Sequence, residues 1–135
     1  LGTGLPGTIG LKIAKPDHLV LGFAGDGGGI STVQALATAA RYRIGAKFVV
    51  LNNRRYRILD YNLQAYRQER GEPADQPFPD CFDLAPQNLR FDLLAEGLGV
   101  PAVRVERPAE IAPALDRALA DDAPFLIEVM VDGSL

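Results

Sequence analysis

Three short apolar runs constrain the fold of this chain more than any other feature of its sequence. They cover residues 18–24 (HLVLGFA), 47–51 (KFVVL) and 125–131 (FLIEVMV), and helix-length segments separate them. Continuous apolar runs of this length are typical of strands that are buried on both faces of a parallel sheet. Because such runs alternate here with helical patterns, the sequence predicts a three-layer α/β/α domain with a mainly parallel sheet.

Helical periodicity and chain breakers predict the remaining elements. Helices are expected over residues 5–15, 30–43, 56–67, 91–98 and 108–120, and a fourth strand over residues 102–105. Ser31 or Thr32 is a candidate cap for the second of these helices. Residues 25–29 predict a tight glycine loop, and residues 70–87, rich in Pro, Gly and Asp, a long surface loop. Long loops in compact domains are usually functional or mobile.

Composition restricts the class of protein. The chain has 135 residues and a formal net charge of -3, and its basic residues do not gather on one stretch, so we expect no nucleic-acid partner. No apolar run approaches the roughly 18 residues of a membrane span, so we expect no membrane association. The single cysteine, Cys81, permits no disulfide within the chain and fits a reducing, cytoplasmic location.

The start of the chain suggests a fragment. It does not begin with Met, and its first residues, Leu-Gly-Thr-Gly-Leu-Pro, look like the middle of a glycine-rich loop. A chain of this length can bury a core without disulfides or a structural metal. We therefore expect residues 1–135 to form one domain, the C-terminal part of a longer protein.

Residues 25–29, Gly-Asp-Gly-Gly-Gly, carry the clearest chemical signal. They lie between a predicted strand and a predicted helix, so backbone N–H groups and the helix dipole favour a phosphate there. Asp26 would repel that phosphate unless a hard cation intervenes, and Mg²⁺ bridges carboxylates to phosphate oxygens. Asn53, at the end of the next strand, offers an amide oxygen, and the turn after it a backbone carbonyl. The sequence therefore predicts a magnesium and phosphate site at the carboxyl ends of the strands.

Other interpretations of these segments stay open. Residues 25–29 alone also fit a plain turn between a strand and a helix. Residues 2–7, Gly-Thr-Gly-Leu-Pro-Gly, match the G-x-G-x-x-G pattern of dinucleotide sites, but no strand precedes them. A catalytic role for Cys81 is disfavoured because the only histidine, His18, is distant in sequence.

The same residues resemble the signature of enzymes that depend on thiamine diphosphate (ThDP). That signature is Gly25-Asp26-Gly27 followed by Asn52-Asn53, with Asn53 27 positions after Asp26. The similarity extends to residues 1–10, 34–40 and 123–129 and so spans almost the whole chain. The resemblance implies the ThDP-binding fold, ThDP and Mg²⁺ as cofactors, and a diphosphate-binding domain over residues 1–135.

The resemblance also implies roles for single residues. Asp26 and Asn53 would ligate Mg²⁺ with their side chains, and Arg55 with its main-chain carbonyl. Gly27 and Gly28 would hold the diphosphate through their N–H groups. The complete set of implied cofactor-binding residues is Leu1, Gly25, Asp26, Gly27, Gly28, Asn53, Arg55 and Tyr56.

Further positions border the reaction centre or depart from the family pattern. Leu1 matches the apolar residue that supports the bent form of the cofactor, and Ile58 and Leu59 match positions beside the substrate pocket. Gly28 stands where Ser or Ala is commoner, which makes the segment more flexible. Arg54 and its neighbour stand where small residues are common, which alters the local charge.

For the whole protein, the resemblance implies a 2-oxo acid decarboxylase of the benzoylformate decarboxylase type. One alternative is an acetolactate synthase-like carboligase, against which the absence of Trp argues mildly. Another is a non-catalytic oligomerisation or regulatory module that keeps the fold. In this family the activating glutamate lies in the pyrimidine-binding domain of a partner subunit, within a homodimer or homotetramer. This chain alone is therefore expected to be inactive.

Overall fold

The computed structural model describes residues 1–73 and 75–133. A parallel sheet of four strands forms its middle layer, in the order β1, β2, β4, β3. These strands are β1 (Leu21–Gly25), β2 (Lys47–Asn52), β3 (Ala102–Val105) and β4 (Phe125–Met130). The predicted parallel sheet is confirmed.

Helices separate the strands, as the periodicity predicted. They are α1 (Gly4–Ala14), α2 (Asp26–Gly29), α3 (Ala35–Tyr42), α4 (Arg57–Glu69), α5 (Phe91–Gly97) and α6 (Ile111–Leu119). Single 3-10 turns lie at Ile30–Thr32, Asp80–Phe82, Ala85–Gln87 and Pro108–Glu110. Within the described part of the chain, no helix is long and apolar enough to span a membrane.

Both faces of the sheet carry helices, which confirms the three-layer class. On one face, here called the three-helix face, α1, α3 and α5 enclose a core around Phe48, Val50 and Leu126. On the other, the α6 face, Ala114 and Ala118 of α6 pack against β3 and β4. Small alanine side chains let α6 approach the strands closely, whereas Phe and Leu fill the wider space under three helices.

β1 is not buried on both faces, contrary to the prediction from its apolar run. Phe23 is 63% exposed on the α6 face, because α6 contacts β3 and β4 at the other side of the sheet. Leu51 is also exposed on this face, and with Phe23, Ile111 and Leu115 it lines a groove of about 320 Å³ whose floor includes the buried Val49. An apolar run predicts a strand that prefers burial on both faces. It does not show that any helix of residues 1–73 and 75–133 covers both faces.

The segment predicted as a tight glycine loop is helical, and this corrects the prediction. α2 begins at Asp26, and the backbone continues through Ile30–Thr32 into α3 in right-handed conformations. Positive φ angles occur at Gly2, Gly71 and Gly99, but not within residues 25–29. Gly27 and Gly29 provide room for neighbouring side chains rather than an unusual backbone turn.

The proposed caps, Ser31 and Thr32, are also wrong, because the helical segment starts before them. The Ser31 hydroxyl donates to the carbonyl of Gly27 at 3.3 Å, one turn back. The Thr32 hydroxyl donates to the carbonyl of Gly2 at 2.9 Å. Thr32 therefore fixes the first residues of the chain beside the start of the helical segment that follows β1.

Candidate functional site

Two turns meet at the carboxyl edge of the sheet. Gly25, the last residue of β1, pairs in register with Leu51 of β2. Asp26 and the turn after Asn52 therefore start from neighbouring positions on adjacent parallel strands. This is the edge at which ligands bind in open parallel sheets.

Asp26 is a buried carboxylate with one unused oxygen. Its Oδ1 accepts the backbone N–H of Gly27 at 2.9 Å. Its Oδ2 is buried and has no hydrogen-bond partner among the residues that the structure describes. Burial raises the pKa of Asp26, while the backbone N–H groups of Gly27, Arg54 and Arg55 oppose that rise. Two of those N–H groups belong to the turn after β2, so that turn faces the carboxylate.

The turn after β2 is held by two consecutive asparagines. Oδ1 of Asn52 accepts the backbone N–H of Arg54 at 3.1 Å, and Oδ1 of Asn53 accepts that of Arg55 at 2.9 Å. Arg54 has a left-handed backbone with φ of 58°. For a residue with a Cβ this costs roughly 1–2 kcal/mol, and such residues cluster at functional sites. An amide oxygen has two lone pairs, so Oδ1 of Asn53 keeps one for a cation.

Arg55 has separate tasks for its backbone and its side chain. Its carbonyl accepts the N–H of Arg57 at 2.9 Å and retains a second lone pair. Its guanidinium forms a bidentate pair with Asp60, which is fully buried. Hydrogen bonding from Arg55 lowers the pKa of Asp60 despite burial, and Arg57 contributes in the same direction. Asp60 therefore compensates one of the two positive charges that Arg55 and Arg57 place next to the site.

Gly27 provides room for the ring of Tyr56. A Cβ at Gly27 would lie 2.6 Å from Cδ1 of Tyr56, so any larger residue would displace the ring. A Cβ at Gly29 would meet the ring of Phe91 at 3.2 Å. By contrast, a Cβ at Gly25 or Gly28 would meet nothing within 4 Å. Gly28 is thus the position that tolerates the commoner Ser or Ala.

The long loop after α4 returns to the site, which the sequence did not predict. Phe82 accepts the N–H of Tyr56 at 2.8 Å, and the N–H of Leu84 donates to the carbonyl of Arg54 at 2.9 Å. Asp83 forms an isolated antiparallel bridge with Arg55. The apolar residues within this polar loop, such as the buried Leu84, were the available signal.

The structure does not bring all the predicted residues into contact. Leu1 is fully exposed, one residue before the Gly2 that Thr32 holds. Ile58 and Leu59, on the first turn of α4, are 63% and 37% exposed. Asp26, Gly27, Tyr56 and the turn after β2 form one cluster, and these three apolar residues lie outside it with their side chains open to solvent.

The donor set at this edge fits Mg²⁺. Within residues 1–73 and 75–133, no group of three or more His, Cys, Asp or Glu side chains is placed to hold a metal ion. A cation here would instead draw on the carboxylate of Asp26, the amide oxygen of Asn53 and a main-chain carbonyl. One carboxylate with neutral oxygens, completed by phosphate and water, is the ligand set that Mg²⁺ prefers.

Comparison with known families decides the identity of the fold and of the ligand. The family of thiamine pyrophosphate (ThDP) enzymes, through its C-terminal TPP binding domain, matches residues 1–129. The chain belongs to this family. The predicted family and its cofactor, ThDP, are therefore confirmed, and the chain is the ThDP-binding domain of such an enzyme.

Individual relatives agree with the family. The chain is 36% identical over 129 residues to benzoylformate decarboxylase of Pseudomonas aeruginosa, and the alignment covers 96% of this chain and 22% of that protein. It is 34% identical over 134 residues to the acetolactate synthase large subunit of Lactococcus lactis, and that alignment covers 99% of this chain and 22% of the relative. The ThDP-binding domain thus spans about a fifth of each relative.

A solved structure gives the same result. The ThDP-dependent 4-hydroxybenzoylformate decarboxylase of Rhodococcus jostii superposes with a TM-score of 0.83 at 34% identity. The match covers 99% of this chain and 24% of that protein. The ThDP-binding domain therefore has the family fold over nearly its whole length.

Proposed function

We propose that this domain binds Mg²⁺ and the diphosphate of ThDP within a 2-oxo acid decarboxylase of the benzoylformate decarboxylase type. The observation that carries the proposal is the unpartnered, buried Oδ2 of Asp26. A buried carboxylate oxygen without a hydrogen bond is costly, and a cation offsets that cost. The facing turn supplies the neutral oxygens that the same cation requires.

In this proposal each ligand has a separate task. Asp26 provides the only anionic protein oxygens and so compensates the cation. Asn53 orients its amide oxygen through the Asx turn with Arg55, and the carbonyl of Arg55 completes the protein ligands. Because only the backbone of Arg55 is used, its side chain stays in the ion pair with Asp60.

Backbone groups would hold the diphosphate. The N–H groups of Gly27 and Gly28 lie in the first turn after β1, where helix N–H groups favour an anion, and the N–H of Gly27 would be shared between the diphosphate and Oδ1 of Asp26. The ring of Tyr56 packs on Gly27 and shelters that side of the site from water. Bound ThDP supplies a thiazolium carbon that acts as a nucleophile and an electron sink, and the protein positions it.

Residues outside this cluster would complete the reaction centre. Leu1 would support the bent cofactor, and the exposed Ile58 and Leu59 would border the pocket for a 2-oxo acid. The activating glutamate would come from the pyrimidine-binding domain of a partner subunit in a homodimer or homotetramer. Large apolar side chains left in contact with solvent are suited to such a contact.

A carboligase of the acetolactate synthase type is the second candidate, because relatives with that name are as similar to this chain as the decarboxylase is. Product analysis separates the two. We expect the full-length protein to release CO₂ and an aldehyde from one member of a panel that runs from pyruvate to benzoylformate. A carbon–carbon ligation product as the main outcome would favour the carboligase.

The metal assignment is tested by calorimetry on the full-length protein. We expect ThDP to bind only with Mg²⁺ or a similar cation, and Asp26→Ala to abolish that binding. Asp116→Ala, at an exposed position on α6, is the matched control and should bind like the wild type. Tight, cation-dependent binding that survives in Asp26→Ala would overturn the assignment.

A further inference from the structure

β4 contains a single charged residue, Glu128, whose side chain is fully buried under the three-helix face. A buried carboxylate is costly unless it is paired and hydrogen-bonded. Oε1 accepts the side-chain amide of Asn52 at 2.6 Å, and Oε2 accepts the backbone N–H of Asp92 at 3.2 Å. The guanidinium of Arg104 lies 3.8 Å from Oε1. Glu128 is therefore fixed in place, and its shortest hydrogen bond goes to Asn52.

Asn52 is oriented by these contacts. Its Nδ2 donates to Glu128 and also to the carbonyl of Leu89 at 3.3 Å. Both acceptors lie on the amide's nitrogen side, so Oδ1 must face the other way, where it accepts the N–H of Arg54. The reverse orientation would set Oδ1 against the carboxylate and remove the acceptor for Arg54. Glu128 thus determines which way this amide points.

The Arg54 hydrogen bond matters because Arg54 is in the left-handed conformation. A residue with a Cβ stays there only when its surroundings hold it. Its N–H is held by Asn52, and its carbonyl by the N–H of Leu84 at 2.9 Å. The turn that results sets the positions of Asn53 and of the carbonyl of Arg55.

We infer that Glu128 is a positioning residue for the cation site, acting through Asn52 and the left-handed Arg54. The expected effect on Mg²⁺ affinity rests on the proposed function. The effect of Glu128 on the shape of the turn does not, because the hydrogen bonds from Asn52 to Glu128 and from Arg54 to Asn52 exist without the cation. Partners of this kind behind a ligand typically change metal affinity by about 10- to 100-fold.

A purely structural role for Glu128 is the competing explanation. Leu126 provides the matched control, because it is fully buried two residues earlier on the same face of β4. Leu126→Ala should lower thermal stability without altering the turn. Glu128→Leu removes the acceptor for Asn52, whereas Glu128→Gln can keep an acceptor oxygen for Asn52 and loses only the one for the N–H of Asp92. Asn52→Ala removes the next link and leaves β4 intact.

The first measurement is hydrogen–deuterium exchange of the full-length protein without cation or cofactor, read on a peptide over residues 51–57. We expect exchange to rise about 10-fold in Glu128→Leu and Asn52→Ala, because losing one supporting hydrogen bond shifts a local opening equilibrium by about that factor. Glu128→Gln and Leu126→Ala should stay within about 2-fold of the wild-type exchange rate. Unchanged exchange in folded Glu128→Leu overturns the inference, and if that variant does not fold, unchanged exchange in Asn52→Ala does so.

The second measurement is a Mg²⁺ titration with ThDP present. The half-saturating Mg²⁺ concentration should rise about 10-fold in Glu128→Leu and Asn52→Ala, and recover to within about 3-fold in Glu128→Gln. An equal rise in Leu126→Ala would assign the effect to general destabilisation and overturn the inference. Failure of the proposed metal site would give a different result from failure of this inference. In that case Asp26→Ala would still bind ThDP with the same Mg²⁺ requirement, while exchange in Glu128→Leu would still rise.

Discussion

Buried charged groups have protein partners at one end of the sheet, whereas one at the other end has an oxygen that is unpaired within the described chain. At the amino end, the ammonium of Lys12 donates to the carbonyls of Pro16 and His18 at 2.8 and 3.0 Å and pairs with Asp122. Lys47, the first residue of β2, donates to two carbonyls of the loop before β4. At the carboxyl end, Oδ2 of Asp26 is equally buried and has no partner within the described residues.

This difference separates a structural charge from a functional one. Burial lowers the pKa of Lys47, yet its ammonium has two carbonyl acceptors and the carboxylate of Asp121 at 4.0 Å, so the protein itself supplies its partners. Burial raises the pKa of Asp26, and the protein leaves one oxygen free. Groups with perturbed pKa values cluster at functional sites, and Asp26 is such a group with an oxygen that the described residues leave unpaired. Substitutions at the two ends should therefore affect stability and binding separately.

The largest expected effect is on stability at the amino end. Lys47→Met keeps the length of the side chain but leaves the carbonyls of Asp121 and Ala123 without their donor. Because a hydrogen bond to a charged group contributes roughly 1.5–3 kcal/mol, and Lys47 forms two of them, we expect a loss of about 3 kcal/mol. Thermal unfolding of the full-length protein measures this, and calorimetry should show unchanged ThDP affinity. A large loss of ThDP affinity would break the division between the two ends.

The carboxyl end also contains a completed pair, and Asp60→Asn tests it. The variant leaves Arg55 and Arg57 without their carboxylate. We expect a loss of about 2 kcal/mol, less than for a fully enclosed pair because the arginines reach solvent. Since Arg55 lowers the pKa of Asp60, the wild-type advantage is present above the ordinary carboxyl range and disappears as pH falls through the lowered value. Unfolding measured against pH should show that advantage shrinking in acid, and a pH-independent difference would contradict the ion pair.

A smaller effect of opposite sign is expected at Asp26 without cation. Its pKa is raised in the folded protein, so ionisation of Asp26 opposes folding. The wild type should lose stability as pH rises from the ordinary carboxyl value through the raised one, and this loss should persist at neutral pH. Asp26→Asn should remove it and be at least as stable as the wild type in metal-free buffer. Lower stability of the variant at neutral pH would show that Asp26 is a structural carboxylate like Asp60.

The smallest expected effect distinguishes two adjacent glycines. Gly28→Ala should stabilise the domain by about 0.5 kcal/mol, because its Cβ meets open space and a helical φ suits alanine. Gly27→Ala should instead displace the Tyr56 ring and weaken ThDP binding. Thermal unfolding and ThDP calorimetry on both variants test the pair. Equal behaviour of the two alanines would show that Tyr56 does not restrict the first position.

The sheet was predictable because its strands are continuous apolar runs. Phe48 and Leu126 belong to runs whose composition already requires burial. The open side of Phe23 was not predictable, since periodicity reports what a residue prefers and not which element covers it. The helical state of residues 26–29 was not predictable, because a run of glycines indicates backbone freedom. The requirement for glycine at position 27 comes from the ring of Tyr56, in a distant segment.

The types of the proposed ligands could be predicted from the sequence, but the contacts that support them could not. Asp26 and Asn53 directly follow β1 and β2, so the sequence alone could pair them as candidate ligands. The roles of Asn52 and Glu128 depend on the register of β2 with β4, where Val50 lies opposite Glu128. That register is set by tertiary packing. A lone glutamate inside an apolar strand was the only local sign of it.

Anomalous diffraction from crystals of the full-length protein with ThDP and Mn²⁺ in place of Mg²⁺ tests the central claim most directly. We expect one strong peak bonded to both Oδ2 of Asp26 and Oδ1 of Asn53, at about the 2.1 Å typical of such oxygen ligands. A peak that contacts neither side chain, with ThDP bound, would contradict the account.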